Sequence, residues 1–150
     1  MKITDALYGE HGAIYALFAH CEASAGSWEL ADMLLAGRLV ESALLSHAAI
    51  EDELLFCALD ARLPGGGPVV VMRADHEAID RYLAGLREAE DESSARRDLM
   101  HALELVRDHF AKEEQVLFPL AESLLGATEL ERLAGEWATR RGVAVAALAA

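Results

Sequence analysis

Cysteine is scarce in this chain of 150 residues: Cys21 and Cys57 are its only two, too few and too far apart for a disulfide framework or a CxxC redox motif. Both fall in apolar, helix-forming surroundings, where an unpaired thiol is expected to behave as a small hydrophobe. Proline and glycine, at 3 and 11 residues, are too few for a collagen-like or low-complexity chain. Basic residues are also short. Thirteen Lys and Arg stand against 26 Asp and Glu, a formal net charge of −13. A surface that acidic repels phosphate backbones and anionic lipid, so neither nucleic acid nor a membrane is an expected partner. The longest apolar run, VAVAALAA at the C-terminus, falls far short of the roughly 20 residues a membrane span needs. The opening MKITDALYGEHG carries no apolar segment of the secretory kind, and a cytoplasmic location is the expectation.

What is present is apolar and helix-forming. At 53% hydrophobic and 26% charged residues, the composition excludes disorder and fits one globular domain. A chain of this length buries roughly 70% of its unfolded surface without staples. Ala, Leu, Glu and Arg dominate, and apolar residues recur every three or four positions with no lasting alternation. The pattern predicts helices over about 3–23, 28–61, 69–88 and 95–125, with Ser27 and Ser94 as N-caps. Pro64-Gly65-Gly66-Gly67-Pro68 is the strongest break, and Gly126 fits a helix C-terminus. Thr128-Glu129-Leu130-Glu131 reads as a capping box for a shorter fifth helix to about Arg141, with Gly142 before an apolar tail. The expected fold is all-α: an antiparallel up-down four-helix bundle over residues 1–125, with 126–150 an accessory helix and tail of the same domain.

The chain also repeats itself. Glu10-His11-Gly12-Ala13-Ile14 is echoed by Asp75-His76-Glu77-Ala78-Ile79, and the segment His47 to Phe56 by the segment His109 to Phe118. Two similar helical hairpins would pack about a pseudo-twofold axis and bring matching groups to one central point.

Those groups are polar residues within apolar stripes. The second helix runs Val40, Leu44, His47, Glu51, Leu54, Ala58; the fourth runs Ala102, Val106, His109, Glu113, Val116 or Leu117, Leu120. Residues four apart sit about 40° apart around the helix and about one turn along it, so each His and Glu can reach one inter-helix site. The first helix offers Leu7 or Tyr8, His11, Ile14, Phe18 and Cys21, and the third Met72, His76, Ile79, Leu83 and Leu86. A single buried His, or a lone His-x-x-x-Glu, is ordinarily a core residue or a surface ion pair. Here two such pairs and two matching solitary His all face inward. Buried carboxylates without a partner cost several kcal/mol, and a pair of metal cations is the partner that imidazoles and carboxylates suit. Four His and two Glu would give each cation two imidazoles and one oxygen from each bridging carboxylate. An oxo or hydroxo bridge would leave one open position on each.

These residues resemble the hemerythrin-like, or HHE cation-binding, family. The likeness is carried by His11, by His47 with Glu51, by His76, and by the segment His109-Phe110-Ala111-Lys112-Glu113-Glu114-Gln115-Val116-Leu117-Phe118-Pro119. It implies a centre of two iron ions, with His11, His47, His76 and His109 as terminal ligands and Glu51 and Glu113 as bridges. Oxygen-carrying members have a second His where this chain has Asp80, and a bridging Asp where it has Glu114. The chain therefore resembles the four-His, two-Glu branch, whose members are linked to iron–sulfur repair under nitrosative stress, peroxide handling and iron or oxygen sensing.

Other polar residues fit lesser roles. Tyr15 and Asp80 occupy equivalent places in the repeat, one turn beyond a solitary His, and are candidates for an open metal position, as ligand or as supporting hydrogen-bond donor. Tyr8 is a weaker one. His20 and His101 are expected at the surface, Asp52 and Glu114 in solvent or supporting positions, and Trp28 and Trp137 in packing. The expected function is binding of, or reaction with, a small oxidant, O2, H2O2 or NO, with a reductase partner where reduction needs external electrons. The alternative is an iron or oxygen sensor, or an iron store, without turnover. A structural bundle or zinc protein is a third reading.

Overall fold

A computed structural model describes residues 1–144, so residues 145–150 of the apolar tail lie outside the described part. Among the described residues are six α-helices: α1 (Ile3–Ser24), α2 (Leu30–Ile50), α3 (Cys57–Asp60), α4 (Pro68–Arg87), α5 (Glu92–Lys112) and α6 (Phe118–Arg141). No strand occurs among the described residues. Two π-helical segments, Glu51–Phe56 and Glu113–Leu117, join α2 to α3 and α5 to α6 without interrupting either rod. Four long rods result, packed as an antiparallel bundle.

The sequence places the helix ends to within a few residues, but two caps differ. Ser27 sits in a 3-10 turn and donates its hydroxyl to the Ser24 carbonyl. The N-cap of α2 is Glu29, whose N–H donates to Asp32. Asp91, not Ser94, caps α5: its carboxylate accepts the Ser94 N–H at 2.9 Å and the Ser94 hydroxyl. Aspartate accepts both donors, so it wins the capping position. Gly126, at φ 74° and ψ 165°, is the one non-helical residue within α6. That conformation is essentially closed to side chains with a Cβ, and there the rod turns. Helix resumes at once, so Thr128 lies inside it rather than capping it.

The core is divided. One apolar cluster gathers Ile3, Leu7, Leu54, Phe56, Leu117 and Phe118 with Leu130 and Leu133 from the end of α6. The other gathers Phe18, Met33, Val40, Leu83, Leu99 and Phe110. Each fully buried side chain of this size contributes about 1.5–3 kcal/mol. The candidate polar residues form a layer between the two clusters.

The π segments correct the expected stripes. A π turn takes one residue more than an α turn, which advances the inward face by one position. Ala58 gives way to Leu59, and Leu120 to Ala121, while Val116 points outward at 53% exposure. Cys57 is displaced in the same way: it is exposed, against the expectation of a buried thiol, whereas Cys21 is fully buried. The stretch Leu30–Asp60 is long and apolar enough by composition to cross a membrane, with mean hydropathy 1.3. In this fold it forms one wall of the bundle and carries His47 and Glu51 inward.

Candidate metal centre

Six side chains from the four rods meet in the polar layer. His11 comes from the middle of α1, His76 from α4, and His47 and His109 from the last turns of α2 and α5. Glu51 and Glu113 each open a π segment, a feature that recurs at functional positions in helices. Five of the six are buried; the His76 side chain keeps 15% of its surface.

The carboxylates lie between the imidazole pairs. Glu51 places Oε1 at 3.3 Å from His47 Nε2 and Oε2 at 3.6 Å from His76 Nε2. Glu113 places Oε2 at 3.3 Å from His11 Nε2 and Oε1 at 3.3 Å from His109 Nε2. The Nε2 atoms of His11 and His47 are 3.1 Å apart, and those of His76 and His109 are 3.0 Å apart. Two ligand groups follow, His11–His47–Glu51–Glu113 and Glu51–His76–His109–Glu113. Within each, the donor atoms lie within 4.8 Å of one another. Both groups share both carboxylates.

No hydrogen bond reaches any of the four Glu51 and Glu113 oxygens. Fully buried carboxylate oxygens without donors are strongly unfavourable, and four together mark a place for cations. The donor set of imidazole nitrogens and carboxylate oxygens suits first-row transition metals, so the residues fit a pair of such ions.

Protonation reflects the crowding. Burial alone would raise Glu51, but the His47 charge beside it holds it well below the usual carboxylate range. Burial and the Glu51 charge push Glu113 up to about 8. For His47 burial works downward, yet Glu51 and Glu10 raise it to about 10. Burial keeps His109 below its ordinary value. The two opposed carboxylates are thus pushed in opposite directions, Glu51 toward its charged form and Glu113 toward its neutral one.

Behind each imidazole stands an acid. His47 Nδ1 donates to Glu10 Oε2 at 2.8 Å, and His11 Nδ1 to Glu114 Oε1 at 2.8 Å. His109 Nδ1 lies 3.5 Å from Asp75 Oδ2, and His76 Nδ1 3.9 Å from Asp52 Oδ2. At His11 and His47 the hydrogen-bonded carboxylate orients the ring and leaves Nε2 facing the Glu51 and Glu113 oxygens. Sequence reasoning put Asp52 and Glu114 in solvent or supporting places and missed Glu10 and Asp75. The signal was in the repeat: Glu10-His11 matches Asp75-His76, and Glu51-Asp52 matches Glu113-Glu114. Each acid serves the ring of a different rod, which only the packing reveals.

The remaining candidates divide. Tyr15 packs its ring against Phe110 and Phe18, with the Arg107 guanidinium 5.4 Å above it, and stands 6.5 Å from the His11 ring. Tyr8 donates its hydroxyl to the Glu114 carbonyl at 2.9 Å. Asp80 is exposed and stands on the wall of a cavity of about 250 Å³. That cavity reaches His47, His76 and His109 between apolar walls of Leu44, Ile79 and Phe110. His20 and His101 lie at the surface, His20 edge-on to Trp28. Trp28 packs against the second core cluster, as expected. Trp137 packs too, and also donates its indole N–H to Glu10 at 2.6 Å.

No curated protein matches the chain, and no solved structure does. A family model does: the hemerythrin HHE cation binding domain, over residues 2–121. With that match spanning most of the chain, and with a four-helix bundle whose only buried imidazoles and unpaired carboxylates among the described residues converge on one point, the chain belongs to the hemerythrin HHE cation-binding family.

Proposed function

We propose that the chain is a cytoplasmic protein with two iron ions that binds or reacts with a small oxidant, hydrogen peroxide, O2 or NO. The observation that carries this reading is the pair of overlapping ligand groups sharing both carboxylates. A pair of iron ions held there supplies two-electron redox chemistry within one site.

The chain's own residues do the rest. His11, His47, His76 and His109 present Nε2 atoms, and Glu114 and Glu10 orient the His11 and His47 rings through hydrogen bonds. Glu51 and Glu113 offer one oxygen to each ligand group and hold the two positions together. Leu44, Ile79 and Phe110 form apolar walls of the approach to His47, His76 and His109, in a cavity of about 250 Å³ that suits a small ligand. Phe110 stacks on His11 with ring centroids 3.7 Å apart and closes the inner wall. Disproportionation of peroxide needs no external electrons, whereas reduction of O2 or NO calls for a reductase partner. The unpaired thiols of Cys21 and Cys57 fit a reducing compartment.

One observation favours a second reading, an iron or oxygen sensor or an iron store. The ligand candidates come from all four rods, so a bound metal would tie the rods together and its loss would loosen the bundle. The test is metal content per chain and the near-ultraviolet spectrum of protein from iron-replete cells, followed by peroxide, O2 and NO assays on that sample. Two irons with charge-transfer absorption and turnover support the first reading. Two irons with stoichiometric binding alone, and a metal-dependent melting shift, favour the second. One zinc and a featureless spectrum refute both.

A further inference from the structure

The repeat supplies all four imidazoles with an acid, yet the two halves grip unequally. Glu10, behind His47, has its oxygens fully engaged. Oε1 accepts from Trp137 Nε1 at 2.6 Å and Arg141 Nε at 2.7 Å. Oε2 accepts from Arg141 Nη2 at 2.9 Å and His47 Nδ1 at 2.8 Å. Arg141 also donates to the Ser46 carbonyl, one residue before His47. Four donors meet the roughly four acceptor directions of a carboxylate, so Glu10 has no freedom to turn away. His11 is held at the same short distance by Glu114.

In the other half, Asp75 is drawn to Lys112 at 2.7 Å and stands 3.5 Å from His109. Asp52 leans toward Arg73 at 3.6 Å, stands 3.9 Å from His76, and is 45% exposed. Neither His76 nor His109 has a hydrogen-bonded Nδ1. His76 is also the ligand candidate that solvent reaches. Trp137 and Arg141 lie beyond residues 2–121, outside the matched family domain.

Resting on the metal-centre reading above, we propose that the two cation positions are held unequally. The final helical stretch after Gly126 locks the His11–His47 position through Arg141, Trp137 and Glu10. The His76–His109 position loads last and releases first. Arg141 and Trp137 are positioning residues, acting on the metal only through Glu10 and His47.

The test loads the full chain with two equivalents of Fe2+ without oxygen, then follows metal release to an excess of chelator. The native protein should release one equivalent fast and one slowly. Arg141→Ala and Glu10→Gln should speed the slow phase about 10–100-fold, the usual effect of losing an outer partner of a ligand, and leave the fast phase unchanged. Asp75→Asn should leave the slow phase unchanged. Arg141→Lys, which restores one donor, should recover part of the slow phase. Trp137→Phe keeps the ring packing and removes one N–H; it carries the test if Arg141→Ala does not fold. A single phase of two equivalents in the native protein overturns the proposal. So does equal acceleration of both phases by Arg141→Ala, the mark of general loosening. A native chain that never takes up two equivalents refutes the metal-centre reading instead, and stoichiometry reports that before any chelator is added.

Discussion

Loading the centre at neutral pH should expel about two protons, and the number follows from the buried groups. His47, raised to about 10 by Glu51 and Glu10 against the opposing effect of burial, carries a proton at pH 7. Glu113, pushed up to about 8 by burial and the Glu51 charge, is mostly protonated there too. Ligation needs the His47 Nε2 lone pair and an ionised Glu113, so both protons must leave. At pH 9 Glu113 has already ionised, and release should fall to about one proton. Apparent affinity should therefore climb with pH, more steeply below about 8, where both protons must leave, than above it. Calorimetric titration with Mn2+ in buffers of different ionisation enthalpy reads the proton number directly. Heats independent of buffer at pH 7, meaning no proton release, would refute the reasoning. The same shifts set the stability of the metal-free chain. Both folded values lie above the unfolded ones, so their contributions are full below about pH 4.5 for Glu113 and 6.5 for His47. They are lost as pH rises through about 8 and 10. Metal-free protein should melt lower at pH 9 than at pH 6, and loaded protein should lose that dependence. Glu10 has the opposite sign. Burial works upward on it, but its bonds to His47, Arg141 and Trp137 bring it down to about 2. Its contribution is present above pH 4.5 and lost as pH falls through about 2.

Three further outcomes can be checked. His109→Ala should abolish loading at one of the two positions while surface His101→Ala leaves two equivalents bound; equal loss in both would defeat the ligand assignment. Gly37→Ala should destabilise the bundle by about 1–3 kcal/mol in denaturant titration, because a Cβ there runs into the buried Leu86 side chain where α2 and α4 approach. Gly126→Ala forces a side chain into a conformation at φ 74° that costs about 1–3 kcal/mol. It should lower the melting temperature and, by misdirecting the end of α6, quicken the slow phase of metal release.

The linear pattern reached far because helices advertise themselves locally. The stripes through Phe18, Val40, Leu83 and Val106 mark buried faces by spacing alone, since a helix turns by a fixed angle per residue. The six candidate ligands stood out for the same reason: a His or Glu inside an apolar stripe is costly, and the repeat presented the anomaly twice. The helix capping by Asp91 and the exposure of Cys57 were missed, each through an alternative that the sequence permits equally well.

The sequence by itself determined the rods, their antiparallel order and the residues on their inward faces, because periodicity and turn chemistry are properties of neighbouring residues. Only the tertiary structure decided the rest. The π turns at Glu51 and Glu113 shift the stripes by one place, and nothing in the spacing distinguishes a π turn from an α turn. Glu10 finds His47, and Arg141 finds Glu10 across 131 positions of chain. Such contacts depend on how rods pack rather than on how residues follow one another. The unequal grip on the two cation positions therefore appears only when Trp137 and Arg141 fold back onto α1.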